Sequence, residues 1–498
     1  MREGFCRGDP SLQLRSGTVS PSNRVVSRGS GRDPAKAGFR KAQQAPPLQR
    51  TITPKMNKIN PREIALKILY DIETKSAFAN ETVEEYSKRF KLSSLDTRFV
   101  RELVNGVTRL RRRLDYITSF FLKRKIEDLT PWIRNTLRLG FYQIDCLDRV
   151  PDRAAVDESV KLAKKFGHKG TAGLVNAVLR NYLRDKKRVI FPSIEEDKVK
   201  AIGTIYSFPD WMIKDWLKQF GEEETVKLCE TFNQKAKLSF RLNSLKISQK
   251  DLERALELKK IKYRKGSFFE NFYWIESKID LEYLFLFQKG YVYPQDESAG
   301  FPVRLLSPQA GETILDMCAA PGGKLTYISE LMKNSGKLIA LDLNPERMEK
   351  VKENCERLGV KNVLFQIGDA RNYSTEPVDR ILIDAPCSGL GVLGRNSDAR
   401  WQKKKEDIKR LAELQSAILL NAAKLVKKGG IIVYSTCTLT KEENEEVIEQ
   451  FLEQGRNFRK ESASDYVDRK VVNENGFVRT YPHINGLDGT FAARLKKL

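Results

Sequence analysis

The sequence predicts an α/β doubly wound, Rossmann-like domain over residues 303–498, preceded by an all-α domain (56–195) and a small α+β region (196–302). Three observations predict it. In the last third, apolar strand candidates alternate with helical stretches. Residues 56 to 188 carry helical apolar spacing throughout. The stretch Thr313-Ile-Leu-Asp-Met-Cys-Ala-Ala-Pro-Gly-Gly-Lys324 runs an apolar strand into a Pro-Gly-Gly turn and then a helix, the grammar of a ligand-binding crossover.

The chain has 498 residues, 40% of them hydrophobic, and a net charge of +24. That is enough apolar material for cores in about two to four domains. No run approaches the ~18–20 apolar residues of a membrane span, so no membrane partner is expected. Such a positive surplus repels itself in a compact fold unless an anionic partner offsets it, and nucleic acid fits best. The seven cysteines (Cys6, Cys146, Cys229, Cys318, Cys355, Cys387 and Cys437) are widely spaced without a C-x-x-C pair, and the only histidines are His168 and His483. A disulfide framework and a zinc site are therefore not expected, no metal is assigned, and a reducing cytoplasmic location follows. A monomer is expected.

Residues 1–55 are rich in Gly, Pro and Ser, with eleven Lys/Arg against three Asp/Glu. Such a segment cannot bury enough surface to offset its ordering entropy and is expected to be a disordered basic tail. It lacks the apolar core of a secretory signal, and Met56 is a candidate initiator after it. From there the pattern is helical. Asn60-Pro61-Arg62-Glu63 supplies an N-cap, a proline in the first turn and an acid, and Ile64, Ile68, Leu69 and Ile72 form one apolar face. Thr130-Pro131 opens another helix carrying Ile133, Leu137, Phe141 and Ile144. Arg109 and Arg111-Arg112-Arg113 form a basic cluster, read either as a solvated helix face or as a phosphate contact. Asp157–Leu183 holds one or two further helices.

Between 200 and 300 the signals are mixed. Strand-like Ser239–Leu245, helical Gln249–Lys259, aromatic Phe268–Ile275 and short Gly290–Tyr293 suggest a small RRM-like sheet region. Tyr263, Phe272, Tyr273 and Trp274 are read as core or edge residues, with base stacking as the alternative. In the last third the strand candidates are Thr313–Cys318, Lys337–Leu343, Val363–Ile367, Arg380–Ala385 and Ile431–Thr436. Pro345–Leu358 is a helix capped by Asn344 and stopped by Gly359; a further helix follows Thr440, with Glu443 at the capping-box position. Phe477–Tyr481 and Thr490–Leu495 have no helix between them and are expected to pair as a hairpin.

Ligands of such sheets bind beyond the carboxyl ends of the strands. Those ends carry Gly322-Gly323, then Asp342 at the spacing of a ribose-binding acid, then Asp369, Asp384 and Cys387, and finally Cys437. A Gly-x-Gly-x-x-Gly run and a Walker lysine motif are both missing, which argues against a dinucleotide and a nucleoside triphosphate. A nucleoside with a modest charged tail fits better, and S-adenosyl-L-methionine is the candidate cofactor.

Leu315-Asp-Met-Cys-Ala-Ala-Pro-Gly-Gly-Lys324, Asp384-Ala-Pro-Cys-Ser-Gly389 and Ser435-Thr-Cys-Thr438 resemble the motifs of the RsmB/NOP2/Sun family of RNA cytosine-C5 methyltransferases. Gln295-Asp296-Glu297-Ser298 and the closing Pro482-His483…Asp488-Gly489-Thr-Phe-Ala-Ala-Arg494 resemble the same family, with one departure: Leu325 stands where Thr is frequent, and Thr326 follows it. The resemblance covers residues 56–498. It implies an S-adenosyl-L-methionine-dependent methyltransferase domain over 303–498, a NusB-like RNA-binding domain over 56–195, and 16S rRNA as the partner. By the same resemblance Cys437 is the nucleophile toward cytosine C6, Cys387 assists breakdown of the adduct, and Asp384 faces N3 and the exocyclic amine, with Lys324 nearby. Cofactor contacts are assigned to Cys318, Ala319, Ala320, Pro321, Gly322, Gly323, Lys324, Asp342, Asp369 and Asp384. Cys355 shares an apolar helix face with Met348, Val351 and Leu358 and is assigned to core; Cys318 is read as a packing residue within the cofactor turn. The same chemistry on tRNA or large-subunit rRNA, and a non-catalytic RNA-binding assembly or antitermination factor, are the other readings.

Overall fold

The computed structural model describes residues 60–277, 281–454 and 457–498. The expected disordered tail and the candidate initiator Met56 lie outside the described residues. Helices Pro61–Lys75, Ala79–Arg89, Ser94–Arg109, Arg111–Ser119, Pro131–Cys146, Asp152–Phe166 and Lys169–Arg184 form the all-α domain. The first starts where the sequence says it should: the Asn60 side chain accepts from the Arg62 N–H at 2.9 Å, and Ile64, Ile68 and Leu69 are buried. Helix Pro131–Cys146 runs through the middle, with Ile133, Leu137, Phe141 and Ile144 all in the core. The stretch after Asp152 resolves into two helices because His168 caps a new start, its Nδ1 accepting from Gly170 N–H at 3.2 Å.

The basic cluster is neither a solvated face nor an open phosphate site. Arg112 donates to the Phe208 carbonyl at 2.8 Å and pairs with Asp210 at 2.5 Å, while Arg113 donates to the Ile205 carbonyl at 2.9 Å. These guanidiniums join the helical domain to the segment that follows, helices Lys198–Ile205 and Asp210–Asn233. The second of these kinks at Gly221, whose φ of +76° suits glycine.

Strands β1 (Leu238–Leu242), β2 (Tyr263–Lys265), β3 (Phe272–Ile275) and β4 (Val292–Pro294) make an antiparallel sheet in the order β2-β3-β1-β4. With helices Gln249–Leu258 and Leu281–Gln288 at the two crossovers, the chain follows the β-α-β-β-α-β path of a ferredoxin-like, RRM-like fold. Phe272, Tyr273 and Trp274 are buried, which removes base stacking as their role and leaves the core reading.

The C-terminal sheet contains β5 (Thr313–Asp316), β6 (Lys337–Asp342), β7 (Val363–Ile367), β8 (Val378–Asp384), β9 (Val426–Thr436), β10 (Phe458–Glu461), β11 (Val478–Thr480) and β12 (Thr490–Lys497). Its order is β10-β12-β9-β8-β5-β6-β7, parallel from β7 to β9, with β12 antiparallel to β9 and the expected hairpin partner β11 paired to β12. A one-turn helix, Pro482–Asn485, lies between β11 and β12 where none was expected, because Pro482 starts a helical turn that Gly486 stops. Side chains alternate between two cores. Ile314, Leu338, Leu382 and Val433 face helices Gly323–Leu331 and Pro345–Leu358; Leu315, Ile339, Ile381 and Ile432 face helices Lys405–Leu425 and Glu445–Glu453. Because β5 lies between β6 and β8, the strand order reverses beside it, and the crevice at its carboxyl end is the switch point where such sheets bind ligands.

Arg241 on β1 ties the small sheet to this crevice. Fully buried, it pairs with Glu330 at 2.7 Å and donates to the Gly323 carbonyl (2.8 Å) and to Thr326 Oγ1 (3.1 Å), its guanidinium 4.6 Å from the Tyr327 ring centroid. Thr326 thus has a structural partner, while Leu325 is buried beside it.

Candidate active site

β5 ends at Asp316, and the chain turns through Cys318–Gly322 before helix Gly323–Leu331 begins. Gly322 sits at φ +101°, a conformation that L side chains rarely adopt. At Gly323 an added Cβ would stand 2.8 Å from the Tyr293 ring, so the turn has no room for a side chain there. Asp342 at the end of β6 reaches back to this turn: one carboxylate oxygen accepts from Ala320 N–H at 3.2 Å and the other from Asn344 N–H at 3.0 Å. Asp369 follows the end of β7 next door, where Gly368 N–H donates to the Asp342 carbonyl at 3.1 Å. The Asp369 carboxylate is held by Arg371 through Nε (3.0 Å) and Nη2 (2.5 Å), which keeps its pKa below the usual range. Burial pushes the Cys318 thiol well above its ordinary pKa, with Asp316 and Asp384 adding to the effect. A sulfur in that setting is a poor nucleophile.

The ends of β8 and β9 carry the other predicted residues. The two strands pair Asp384 with Ser435. Asp384 accepts from Lys324 Nζ at 2.7 Å and from Ser435 Oγ at 3.1 Å, so the helix after the glycine turn and both strand ends meet at one carboxylate. Burial works against charge on Lys324, but Asp384 outweighs it and holds the ammonium above its ordinary pKa. Just beyond, the sulfurs of Cys387 and Cys437 stand 3.3 Å apart. Cys437 lines a cavity of about 130 Å³ together with Lys324, Asp384, Ser435, Asp296 and Asp488. A wider groove of about 690 Å³, between Phe268–Asn271 and Ser464–Asp468, shares none of these residues. Cys355 is buried with Met348, Val351 and Leu358, and Cys229 is buried among apolar side chains.

Several residues of the site escaped the sequence reading. Glu443 does not cap the helix after Thr440, which starts at Glu445. Its buried carboxylate accepts from Ser388 N–H (2.8 Å), Ser388 Oγ (2.5 Å), Gln415 Nε2 (3.1 Å) and Thr440 Oγ1 (2.8 Å). Ser388 Oγ also lies 2.6 Å from Thr438 Oγ1, so each cysteine is followed by a residue of this network. Asp316, fully buried, is pushed up to about 7, first by burial and then by Asp384. At the rim Arg395 bridges Asp296 (2.8 Å) and Asp488 (2.7 Å), joining the Gln295–Ser298 stretch to the closing hairpin. The same segment continues into helix Ala399–Gln402, whose Arg400 and Trp401 donate to the carbonyls of Arg109 (3.2 Å) and Thr108 (2.6 Å) in the helical domain. The segment after Cys387 therefore touches both the site and the all-α domain.

Among the described residues no helix is long and apolar enough to cross a membrane, and no group of three or more acidic, His or Cys side chains is arranged to hold a metal ion.

Residues 303–496 match the family model for 16S rRNA methyltransferase RsmB/F, residues 59–184 the NusB family, and residues 208–282 the RsmF/B-like ferredoxin-like domain. The chain is 38% identical over 451 residues to the probable ribosomal RNA small subunit methyltransferase B of Bacillus subtilis, covering 89% of this chain and 100% of that protein. It is 34% identical to the ribosomal RNA small subunit methyltransferase B of Vibrio cholerae, covering 72% of this chain and 81% of that one. Among solved structures, PH0851 superposes with a TM-score of 0.72 at 25% identity, over 88% of this chain and 99% of its own. NSun6 from Pyrococcus horikoshii, solved with the S-adenosylmethionine analogue SFG, does so with a TM-score of 0.54 at 26% identity, over 59% and 99%. By identity sustained across nearly its whole described length, and by all three domain matches, the chain belongs to the RsmB/F family of 16S rRNA methyltransferases.

Proposed function

We propose that this protein methylates C5 of one cytosine in small-subunit (16S) rRNA, through a covalent adduct between Cys437 and C6 of the base, acting as a cytoplasmic monomer. The observation that carries the reading is the pair of sulfurs 3.3 Å apart at adjacent strand ends, beside the Lys324–Asp384 ion pair. The names of the curated relatives support the substrate class.

The donor set fits S-adenosylmethionine. Asp342 is a nearly buried carboxylate at the end of the second strand, where a ribose diol is bound in such folds, and the turn Cys318–Lys324 offers backbone from Cys318, Ala319, Ala320, Pro321, Gly322 and Gly323. Asp369, just after the end of β7, and Asp384, at the end of β8, are assigned to the same crevice. When bound, the cofactor supplies an electrophilic methyl group.

Cytosine C5 is a poor nucleophile, and the protein's task is to raise its electron density. Addition of the Cys437 thiolate to C6 forms the S–C6 bond and moves the C5–C6 electron pair onto C5, which then takes the methyl group. Asp384 has its place against N3 and the exocyclic amine, favouring the protonated ring that draws electron density from C6. After transfer the C5 proton leaves, the S–C6 bond breaks, and the ring is restored as 5-methylcytosine. Cys387, 3.3 Å from the bonded sulfur, is positioned to assist that release. The domains of residues 56–195 and 196–302 would hold the RNA, and the base must leave any stack to reach Cys437, at a cost of a few kcal/mol.

Purified small-subunit RNA, large-subunit RNA and tRNA, each incubated with the protein and S-adenosylmethionine and then bisulfite-sequenced, are expected to show one newly protected cytosine, in the small-subunit RNA. Protection in tRNA or large-subunit RNA instead would move the substrate. No new protection in any of the three would overturn the reading and favour an RNA-binding assembly factor.

A further inference from the structure

Two sulfurs 3.3 Å apart do not both carry charge, so a reaction that uses one thiolate needs the other held neutral. Their surroundings differ. Around Cys437 the acids have cations: Lys324 and Asp384 pair in its cavity, and Asp296 and Asp488 there share Arg395. On the other side lies Glu443, 0% exposed, accepting from the N–H of Ser388, the residue directly after Cys387, and from Ser388 Oγ. Its four hydrogen-bond partners are two nitrogens on Oε1 and two hydroxyls on Oε2, none of them a cation. An ionised carboxylate can accept all four, and no cation among them offsets its charge.

Resting on the assignment of Cys437 as the attacking sulfur, we infer that Glu443 is the positioning residue that decides which cysteine is the nucleophile: its charge, locked beneath Ser388, disfavours a thiolate on Cys387 and leaves it to Cys437. The Cys387 thiol is held well above its usual pKa, first by its contact with Cys437, then by burial, with Glu443 adding its negative charge. The other charged groups around the pair are paired or held neutral: Asp296 and Asp488, in the Cys437 cavity, share Arg395, and burial, then Asp296, pushes Asp488 up to about 7. Asp384 is paired with Lys324. Asp316 beside it is largely protonated below pH 7. Tyr434, held neutral by burial, donates its hydroxyl to the Glu443 carbonyl at 2.6 Å.

The test is peptide-resolved alkylation by iodoacetamide, taking initial rates against pH on the full chain without RNA. In the wild type Cys437 is expected to react at lower pH than Cys387. Glu443→Gln is expected to lower the Cys387 midpoint by about one unit, about tenfold in rate at a fixed pH. Thr440→Val, which removes one hydrogen bond to Glu443 but leaves its charge, is expected to leave that midpoint in place. The inference is overturned if Cys387 is the faster sulfur in the wild type, a result that does not depend on any variant folding. It is also overturned if Glu443→Gln leaves the Cys387 midpoint unmoved, or if Thr440→Val shifts it as far. Alkylation needs neither RNA nor cofactor, so its failure is separable from a failure of the methylation reading, which is decided by modification of RNA.

Discussion

The sulfurs of Cys387 and Cys437 lie 3.3 Å apart although fifty residues separate them in the chain. β8 and β9 are parallel neighbours with Asp384 opposite Ser435, so the third residue after one and the second after the other arrive at the same place. Ser388, Thr438 and Glu443 then fasten the two loops together. The pair is a product of sheet topology, and its chemistry follows from that.

Cys437→Ala leaves the fold's polar network intact while removing the sulfur proposed to attack the base. Methyl transfer to RNA is expected to fall below about 10⁻³ of the wild-type rate, with S-adenosylmethionine affinity retained. Single-turnover transfer of labelled methyl, alongside calorimetric cofactor binding, checks both halves.

Asp316 carries a pH signature. Its folded pKa is raised to about 7 by burial and then by Asp384, so between about pH 4 and 7 the folded state holds a proton that the unfolded chain has released. The native state therefore loses stability as pH rises through that window. Asp316→Asn keeps an oxygen for the Cys318 N–H and removes the titration. Its melting temperature relative to wild type is expected to rise between pH 5 and pH 8, by the equivalent of roughly 2–4 kcal/mol. A parallel pair of Tm–pH curves would show that Asp316 is not the group responsible.

Gly391 accepts no side chain. A Cβ there would lie 2.4 Å from the Gly489 carbonyl oxygen and 2.8 Å from that of Cys437, both backbone. Gly391→Ala is expected to cost about 2–4 kcal/mol and to displace Cys437, lowering activity more than stability alone explains. Gly173, within helix Lys169–Arg184 with nothing near its Cβ direction, is the contrast: Gly173→Ala is expected to stabilise by about 0.5–1 kcal/mol. Chemical denaturation of both variants measures the difference.

The Arg241–Glu330 pair, with both side chains at 1% exposure or less, holds the small sheet against helix Gly323–Leu331. Arg241→Met leaves Glu330 charged and buried, and a loss of about 3–5 kcal/mol is expected. Pairing it with Glu330→Leu removes the orphaned charge and should recover most of that loss. A double-mutant cycle read by urea unfolding checks the recovery.

Local signals were legible in the sequence, and long-range partnerships were not. Helix Pro345–Leu358 begins and ends where Asn344 and Gly359 place it, because a cap and a left-handed stop act within a few residues. The strand-end residues could be read because a parallel sheet presents all its carboxyl ends in one crevice. Glu443 looked like part of a capping box because Thr-x-x-Glu spells one; its second partner, Ser388, is 55 positions away and unmarked by any pattern. The arginines at 109–113 gave the same charge pattern that a solvated face gives. What distinguishes them is the carbonyls of Ile205 and Phe208, which only the folded chain brings near. The buried aromatics of β3 are a similar case: the strand is covered on both faces, so its alternation carries no outward side.

The central claim, a covalent bond between Cys437 and the target cytosine, is tested most directly by Cys387→Ala incubated with S-adenosylmethionine and small-subunit RNA. The protein should stall after methyl transfer as a denaturation-resistant complex. Digestion and mass spectrometry of that complex should find a methylated cytidine fragment on the peptide containing Cys437. A complex that never forms while methylation proceeds at the wild-type rate, or a fragment attached to any other residue, would contradict it.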